Sequence, residues 1–165
     1  YGRAGDRIYV HGATKSRAMM ATQTGIPVCL TVTHIDGIVL ARSAFHHSMN
    51  YRSAVVFGTA KAVEAEEKEQ GLLVISENIL KGRWAESRLP NAKELKATTV
   101  LAIDIEEASA KIRDGGPSDD APDYDLPIWA GVVPMLTTFG SPQADSVLPA
   151  DIPLAPSVQQ LYANY

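Results

Sequence analysis

The stretch Tyr9-Val-His-Gly-Ala-Thr-Lys-Ser-Arg17 decides how the fold begins. Ile8 and Val10 alternate with more polar neighbours, which is typical of a half-buried strand. Gly12 follows, and glycine permits a tight turn because it adopts backbone conformations that other residues avoid. The stretch therefore predicts a strand that turns at Gly12.

A short helix is predicted directly after this turn. Thr14 or Ser16 can cap its first turn, and the pattern extends from Ser16 to Thr24. Gly25 is the natural residue to end the helix, since a glycine often follows the last helical turn. The beginning of the chain therefore reads as strand, turn and helix in direct succession.

The start of this helix combines groups that bind phosphate. The first amides of a helix have no intrahelical acceptor and lie at the positive end of its dipole, where they attract anions. Lys15 and Arg17 add full positive charges, and Ser16 adds a hydroxyl. The pattern predicts a phosphate site, and the alternative is a pair of solvated basic residues.

Composition limits the class of protein. The chain has 165 residues, of which 45% are hydrophobic and 21% charged, so it can bury the core of one ordinary domain. Its 15 basic and 19 acidic residues give a net charge of −4. The acidic excess lies between Asp104 and Asp125, which argues against a nucleic-acid partner.

Two further features concern the compartment. No apolar run approaches the roughly 20 residues that span a bilayer, so no membrane association is predicted. Cys29 is the single cysteine, which excludes an internal disulfide and fits a reducing cytoplasm. Its apolar neighbours predict that the thiol is buried.

Two antiparallel hairpins are predicted in the first quarter of the chain. Ala4-Gly5-Asp6 separates two short strands and resembles a hairpin turn. Residues 27–34 alternate as a strand, Asp36-Gly37 gives a strong two-residue turn signal, and residues 38–40 return as the paired strand.

The remaining pattern mixes strands and helices. Gly58 interrupts a long strand and suggests a bulge or bend, as in strands that close small barrels. The predicted strands are residues 51–63, 98–105, 109–113 and 129–133, and the predicted helices are residues 64–80 and 91–96. Hairpins with helices between them favour a mainly β (α+β) fold, an antiparallel barrel with peripheral helices.

The chain divides into a domain and an arm. Residues 1–135 contain all the predicted strands. Residues 136–165 are rich in proline, which disfavours regular elements, so an extended C-terminal arm is predicted there.

A second polar segment, residues 42–53, has more hydrogen-bonding side chains than a connection between strands requires. Arg52 and Ser53 lie at the start of a strand, where neighbouring side chains point to opposite faces. The alternative for Arg52 is a surface ion pair, which would indicate little about function.

Metal and hydrolase chemistry are not predicted. His11, His34, His46 and His47 lack the short His or Cys spacings of zinc sites, so the sequence predicts no metal site. Neither a Gly-x-Ser-x-Gly elbow nor a Walker or Gly-x-Gly-x-x-Gly loop is present. No side chain is assigned as a catalytic acid or base.

Several segments together resemble the pyridoxamine 5′-phosphate oxidase-like superfamily. The resemblance extends from Tyr1 to about Met135 and is closest to its flavin-nucleotide-binding branch, near the nitroimidazole-resistance reductases. The segments that carry it are Ile8-Tyr-Val-His-Gly-Ala13, residues 41–58, Gly82-Arg-Trp-Ala85, Ala110-Lys-Ile-Arg113 and Trp129-Ala-Gly-Val-Val-Pro134.

The resemblance implies a split β-barrel homodimer with FMN in a cleft at the subunit interface. It places one group of residues at the flavin phosphate, a second along the strand that approaches the isoalloxazine ring, and Trp129 near the last flavin-contacting strand. The residues assigned to the cofactor are His11, Gly12, Lys15, Ser16, Arg17, Arg52, Ser53 and Trp129.

Two departures from the family pattern matter. Family members carry further strands before the position of Tyr1, so the natural protein is expected to be longer at its N-terminus. The basic group around Arg17 also differs from that of the oxidases, so specificity for pyridoxine phosphate does not carry over.

The resemblance implies an FMN-dependent oxidoreductase that acts on an unidentified small molecule. A non-catalytic flavin carrier or sensor is the first alternative. A haem protein that uses one histidine as an axial ligand is the second. A nitroimidazole-type reductase is the third, and it stays within the enzyme class.

Overall fold

The structure, a computed structural model, describes residues 1–22 and 24–163. The described chain forms six strands, five α-helices and two 3₁₀ turns. The strands are β1 (Gly2–Ala4), β2 (Arg7–Ala13), β3 (Thr24–Leu40), β4 (Ser48–Val63), β5 (Thr98–Arg113) and β6 (Gly131–Pro134). The helices are α1 (Arg17–Thr22), α2 (Ala65–Ile79), α3 (Arg83–Glu86), α4 (Ala92–Ala97) and α5 (Pro156–Ala163), with 3₁₀ turns at Ala44–His46 and Ala121–Asp125.

The strands form one sheet in the order β1-β2-β5-β4-β3-β6. β1 pairs antiparallel with β2, β2 with β5, and β3 with β6. The order has two ends, β1 and β6, and the sheet does not close among the described residues. The predicted mainly β (α+β), antiparallel split-barrel-like class is confirmed.

The chain divides into two compact units, and the three long strands contribute to both. The first unit contains Tyr1–Val28, Phe57–Glu107 and Ala144–Tyr165. The second unit contains Cys29–Val56 and Ala108–Gln143.

The first unit has an apolar core between α2 and the sheet. Ile75 of α2 packs with Tyr9, Val63 and Val100 in one buried cluster. A Cβ atom at Gly71 would lie 2.8 Å from Val100 Cγ1, so only glycine allows the helix to approach the strand this closely. The predicted helix over residues 64–80 is confirmed as α2, and Asn91 begins α4 with a capping box.

The first predicted hairpin is confirmed and the second is wrong. β1 and β2 pair across Gly5, which has a positive φ of 59°. Asp36 and Gly37 do not form a turn, because β3 continues through them to Leu40. Gly37 pairs with Pro134 of β6, and a Cβ there would lie 3.1 Å from Val132 Cγ1. Close approach of β6 therefore accounts for Gly37, and the chain reverses only after Leu40.

Other predicted boundaries shift. Gly12 lies inside β2 rather than at a turn, and Met19 Cγ would be 3.0 Å from a Cβ at this position. The turn falls at residues 14–16, and α1 ends at Thr22; Gln23, within the predicted helix, lies outside the described residues. A Cβ atom at Gly58 would overlap the backbone oxygen of Asp104, so this glycine marks a close backbone approach.

Two other expectations also change. The two strands predicted at residues 98–105 and 109–113 form the single strand β5. Cys29 is exposed rather than buried.

The C-terminal segment contains a helix that its prolines do not prevent. Pro156 is the first residue of α5, a position where proline is tolerated. The backbone N–H of Ser157 donates to Glu86 Oε1 at 2.8 Å, and its hydroxyl donates to the other carboxylate oxygen at 2.5 Å. α5 is thus fixed within the first unit by a carboxylate 71 positions earlier in the chain.

Among the described residues, no helix has the length and apolar character needed to cross a bilayer.

Candidate functional site

The predicted phosphate-binding residues lie together on the β2–α1 connection in the first unit. Ser16 is the residue before α1, and its Oγ accepts a hydrogen bond from the Met19 N–H at 3.2 Å. Ser16 therefore caps the helix, as one of the two predicted candidates. Lys15 and Arg17 flank it, and both are exposed.

Backbone and side-chain contacts fix this connection. The Thr14 N–H donates to Ala97 O at 3.0 Å, and the Thr99 hydroxyl donates to Thr14 Oγ1 at 3.1 Å. The Ser16 N–H donates to Ala13 O at 2.8 Å. The basic side chains therefore extend from a turn whose backbone is already ordered.

The electrostatics of the connection favour an anion. Within residues 1–22 and 24–163, neither Lys15 nor Arg17 forms an ion pair. Arg17 and Ala18 provide the first two helical amides, which have no intrahelical acceptor. Because α1 has only six residues, the full charges contribute more than the helix dipole.

His11 and Gly12 lie on β2 immediately before this connection. His11 is exposed and lies opposite Val100 of β5, while Gly12 lies opposite Thr99. The small size of Gly12 leaves room for the Met19 side chain of α1, which packs over this position. The structure thus gathers His11, Gly12, Lys15, Ser16 and Arg17 in one local segment.

Arg52 and Ser53 lie on β4 in the second unit, and both have partners. Arg52 Nε and Nη2 donate to the two Asp36 carboxylate oxygens, each at 2.9 Å. These hydrogen bonds lower the pKa of Asp36 and raise that of Arg52. Ser53 Oγ is 2.8 Å from Thr33 Oγ1. Arg52 therefore forms the surface ion pair that was the alternative to a cofactor contact.

Trp129 lies two residues before β6 rather than within the predicted strand. Its side chain is exposed, with 64% of its surface accessible, and its ring covers Gly131 at the start of β6. Trp129, Arg52 and Ser53 belong to the second unit, so the predicted residues form one group in each unit.

Sequence reasoning missed Asp119, which organises the polar segment of the second unit. Its side chain has no accessible surface and accepts hydrogen bonds from the backbone N–H groups of Arg42 and Ser43 at 2.9 and 3.0 Å. Arg42 Nη1 lies 3.2 Å from the same carboxylate. Desolvation raises the pKa of Asp119, but these donors outweigh it and the net pKa is lowered. No sequence signal separates Asp119 from the other acidic residues of its loop.

The family model described as pyridoxamine 5′-phosphate oxidase matches residues 1–112. The chain belongs to this family. The match covers β1 to β5 and therefore includes the whole β2–α1 connection. The resemblance found from the sequence segments is confirmed. The comparison with curated proteins finds no match.

Solved structures extend the likeness of this oxidase-family chain. The FAD and haem binding protein from Mycobacterium smegmatis is 40% identical with a TM-score of 0.91, and the match covers 96% of this chain and 78% of that one. The flavocytochrome Anf3 from Azotobacter vinelandii is 36% identical with a TM-score of 0.87, covering 96% and 74%.

A third structure shows the fold alone. It is a putative 5-nitroimidazole antibiotic resistance protein from Bacteroides thetaiotaomicron, 21% identical with a TM-score of 0.53. The match covers 66% of this chain and 63% of that one.

Proposed function

We propose that this protein binds a flavin nucleotide and acts as a flavin-dependent oxidoreductase. The observation that carries the proposal is the match along 96% of the chain to a protein named for binding FAD and haem, at 40% identity. The family match over residues 1–112 supports the same cofactor class.

The β2–α1 connection would hold the flavin phosphate. Arg17 and Lys15 supply positive charge that no carboxylate of the described chain neutralises, and the Ser16 hydroxyl can still donate a hydrogen bond. A guanidinium can contact two phosphate oxygens at once. This donor set fits the monoester of FMN, the flavin that the sequence resemblance implies, and also the diphosphate of FAD, the flavin in the name of the 40% identical structure.

A bound flavin would supply the hydride chemistry, while the protein supplies binding and orientation. The ordered backbone at Thr14 and Ser16 would hold the phosphate in a fixed position relative to the sheet. Phosphate binding at the β2–α1 connection would fix one end of the flavin relative to the protein. Substrate and electron donor are small molecules in this proposal.

An absorption spectrum of the purified protein tests the cofactor. Flavin bands are expected, and chromatography of the pigment released by heat distinguishes FMN from FAD. Adding a nicotinamide donor should bleach the bands of an oxidoreductase, whereas a passive carrier would keep them. A protein that binds neither flavin when reconstituted would contradict the proposal.

Substitution of the guanidinium tests the site. We expect Arg17→Ala to weaken flavin binding by about 1.5–3 kcal/mol, the range for a hydrogen bond to a charged group. Arg3→Ala is the matched control, because Arg3 is an exposed arginine of the same unit that pairs with Asp6. Equal affinities of wild type and Arg17→Ala, measured by fluorescence titration, would remove Arg17 from the site.

Haem binding is the second candidate, because two of the matched structures are named as a haem binding protein and a flavocytochrome. His47 Nδ1 accepts the Ala41 N–H at 3.0 Å, so its neutral ring carries the proton on Nε2 and cannot ligate iron there. His46 Nε2 lies 3.4 Å from Asp120 Oδ2. The side chains of His11 and His34 are exposed and form no hydrogen bond among the described residues, so they are the better candidates. A Soret band that disappears in His11→Ala or His34→Ala would support a haem site.

We further propose that the protein is a cytoplasmic homodimer. Exposed apolar side chains of the second unit support the dimer, since soluble monomers rarely expose large apolar patches. The most exposed are Phe45 at 89%, Leu136 at 84% and Ile112 at 67%. Sedimentation should give twice the chain mass of 17.7 kDa, and Leu136→Ser should shift it towards the monomer.

A further inference from the structure

Three metal-ligating side chains converge in the second unit. A ring nitrogen of His46 and carboxylate oxygens of Asp120 and Asp123 all lie within 4.8 Å of one another. His46 and Asp120 are 74 positions apart in sequence, which is why a search for short spacings misses them. We propose that these three side chains bind a divalent transition-metal ion.

The backbone that presents these ligands is held in place independently of any ion. The Asp119 side chain, next to Asp120, has no accessible surface and accepts hydrogen bonds from the backbone N–H groups of Arg42 and Ser43, which lie on the segment that carries His46. Pro122 lies in the first turn of the 3₁₀ turn Ala121–Asp125 and restricts its backbone. Binding would therefore require little ordering of the chain, and ordering is a main cost of association.

The Asp120 side chain does not cap the turn that it precedes. An aspartate at this position commonly accepts an N–H two or three residues later. Asp120 makes no such bond, and its Oδ2 lies 3.4 Å from His46 Nε2 instead. Asp123 follows three residues on, and side chains at this spacing eclipse on a 3₁₀ helix. Both carboxylates therefore lie on one face, where a cation would replace their repulsion with attraction.

The charge of the neighbouring arginine does not neutralise these two carboxylates. Arg42 Nη1 is 3.2 Å from Asp119 Oδ2, and its guanidinium lies 5.0 Å from the centroid of the Tyr124 ring. Its charge is thus matched by Asp119. Asp120 and Asp123 therefore keep two carboxylates that the Arg42 guanidinium does not neutralise.

The ligand types select the class of ion. Ca²⁺ and Mg²⁺ take oxygen ligands, whereas one imidazole with two carboxylates suits Zn²⁺ and neighbouring transition metals. Bonds of about 2.0–2.1 Å in a tetrahedron place ligand atoms about 3.4 Å apart. The His46–Asp120 pair already has that separation, at 3.4 Å. The two pairs that involve Asp123 lie within 4.8 Å and have to shorten to the same separation. Rotation of the Asp123 side chain can provide this, and a fourth position remains for water.

Calorimetric titration of the full chain with Zn²⁺ tests the site. The wild type should bind one ion per chain, and His46→Gln and Asp123→Asn should each bind at least 10-fold more weakly. The control is Asp125→Asn, which removes an exposed carboxylate of the same turn. This variant should stay within 2-fold of the wild type.

Co²⁺ provides a second readout through its visible absorption. The wild type should show d–d bands that Zn²⁺ displaces, and His46→Gln should lose them while keeping the circular dichroism spectrum of the wild type. If His46→Gln does not fold, Asp123→Asn decides the question by the same two measurements. Wild-type affinity in Asp123→Asn, equal weakening in Asp125→Asn, or Ca²⁺ binding as tightly as Zn²⁺ would each overturn the proposal.

Discussion

The two units of this protein are stabilised in different ways. The first unit contains most of the buried apolar residues: Ile8, Tyr9, Ala60, Val63, Ile75, Val100, Leu101, Ala102 and Ile103. The second unit buries Val39, Ala41 and Val56, and its segments are joined by polar contacts. Among these are the Asp119 contacts and the Arg113 Nη1 to Asn50 Oδ1 hydrogen bond at 2.6 Å.

This difference indicates which unit depends on contacts with another chain. Apolar burial is the main stabilisation of the first unit, because burial of apolar area is the dominant favourable term in folding. The second unit leaves large apolar side chains such as Phe45 and Leu136 exposed, and its polar network fixes geometry rather than excluding water. We therefore expect core substitutions to act mainly through the first unit, and assembly to act through the second.

The largest expected effect is on the apolar core. Ile75→Ala should lower the free energy of unfolding by about 3 kcal/mol, since it removes buried atoms and leaves a cavity. Ile79→Ala is the matched control on the same helix, because Ile79 is 78% exposed and its loss should cost less than about 0.5 kcal/mol. Urea denaturation measures both. Similar losses in the two variants would mean that the α2 packing does not stabilise the first unit.

A smaller effect is expected for the polar network of the second unit. Asp119→Ala leaves the backbone N–H groups of Arg42 and Ser43 without their acceptor, so we expect Tm to fall by about 5 °C. Asp125→Ala, an exposed acidic residue of the same loop, should leave Tm nearly unchanged. Calorimetry measures both variants. If Asp119→Ala destabilises the protein more than Ile75→Ala does, the two units do not differ in the way described above.

The smallest effect concerns an exposed ion pair. Two hydrogen bonds lower the pKa of Glu94 from 4.5 to about 2. The larger effect comes from the Arg88 side chain and the smaller from the Asn91 backbone N–H. A carboxyl with a lowered folded pKa stabilises above its unfolded pKa and loses that contribution as pH falls through its folded pKa. The Tm difference between wild type and Glu94→Gln should thus be present at pH 7 and shrink between about pH 5 and pH 2.

Glu106→Gln serves as the control for this titration, because Glu106 is exposed and forms no ion pair among the described residues. Its Tm difference from wild type should not follow the same pH window. A difference between wild type and Glu94→Gln that does not change with pH would show that the titration of Glu94 is not the source of the stabilisation.

Local patterns predicted the elements whose signals lie within a few residues. Alternation and turn residues identified the hairpin around Gly5, and helical spacing identified α2. The same reasoning failed at Asp36-Gly37, where the glycine is required by contact with β6, almost a hundred residues later. The candidate phosphate residues are contiguous, so the sequence could group them, and the structure then showed that Ser16 is the cap.

By itself, the sequence determined the fold class, the family and the basic segment at residues 15–17, because each depends on periodicity or on residues that are neighbours in the chain. Only the tertiary structure decided that Arg52 pairs with Asp36, that Asp119 is buried beneath Arg42 and Ser43, and that His46 meets two aspartates. Those contacts depend on which distant segments fold against each other, and side-chain chemistry in one segment does not specify its partner.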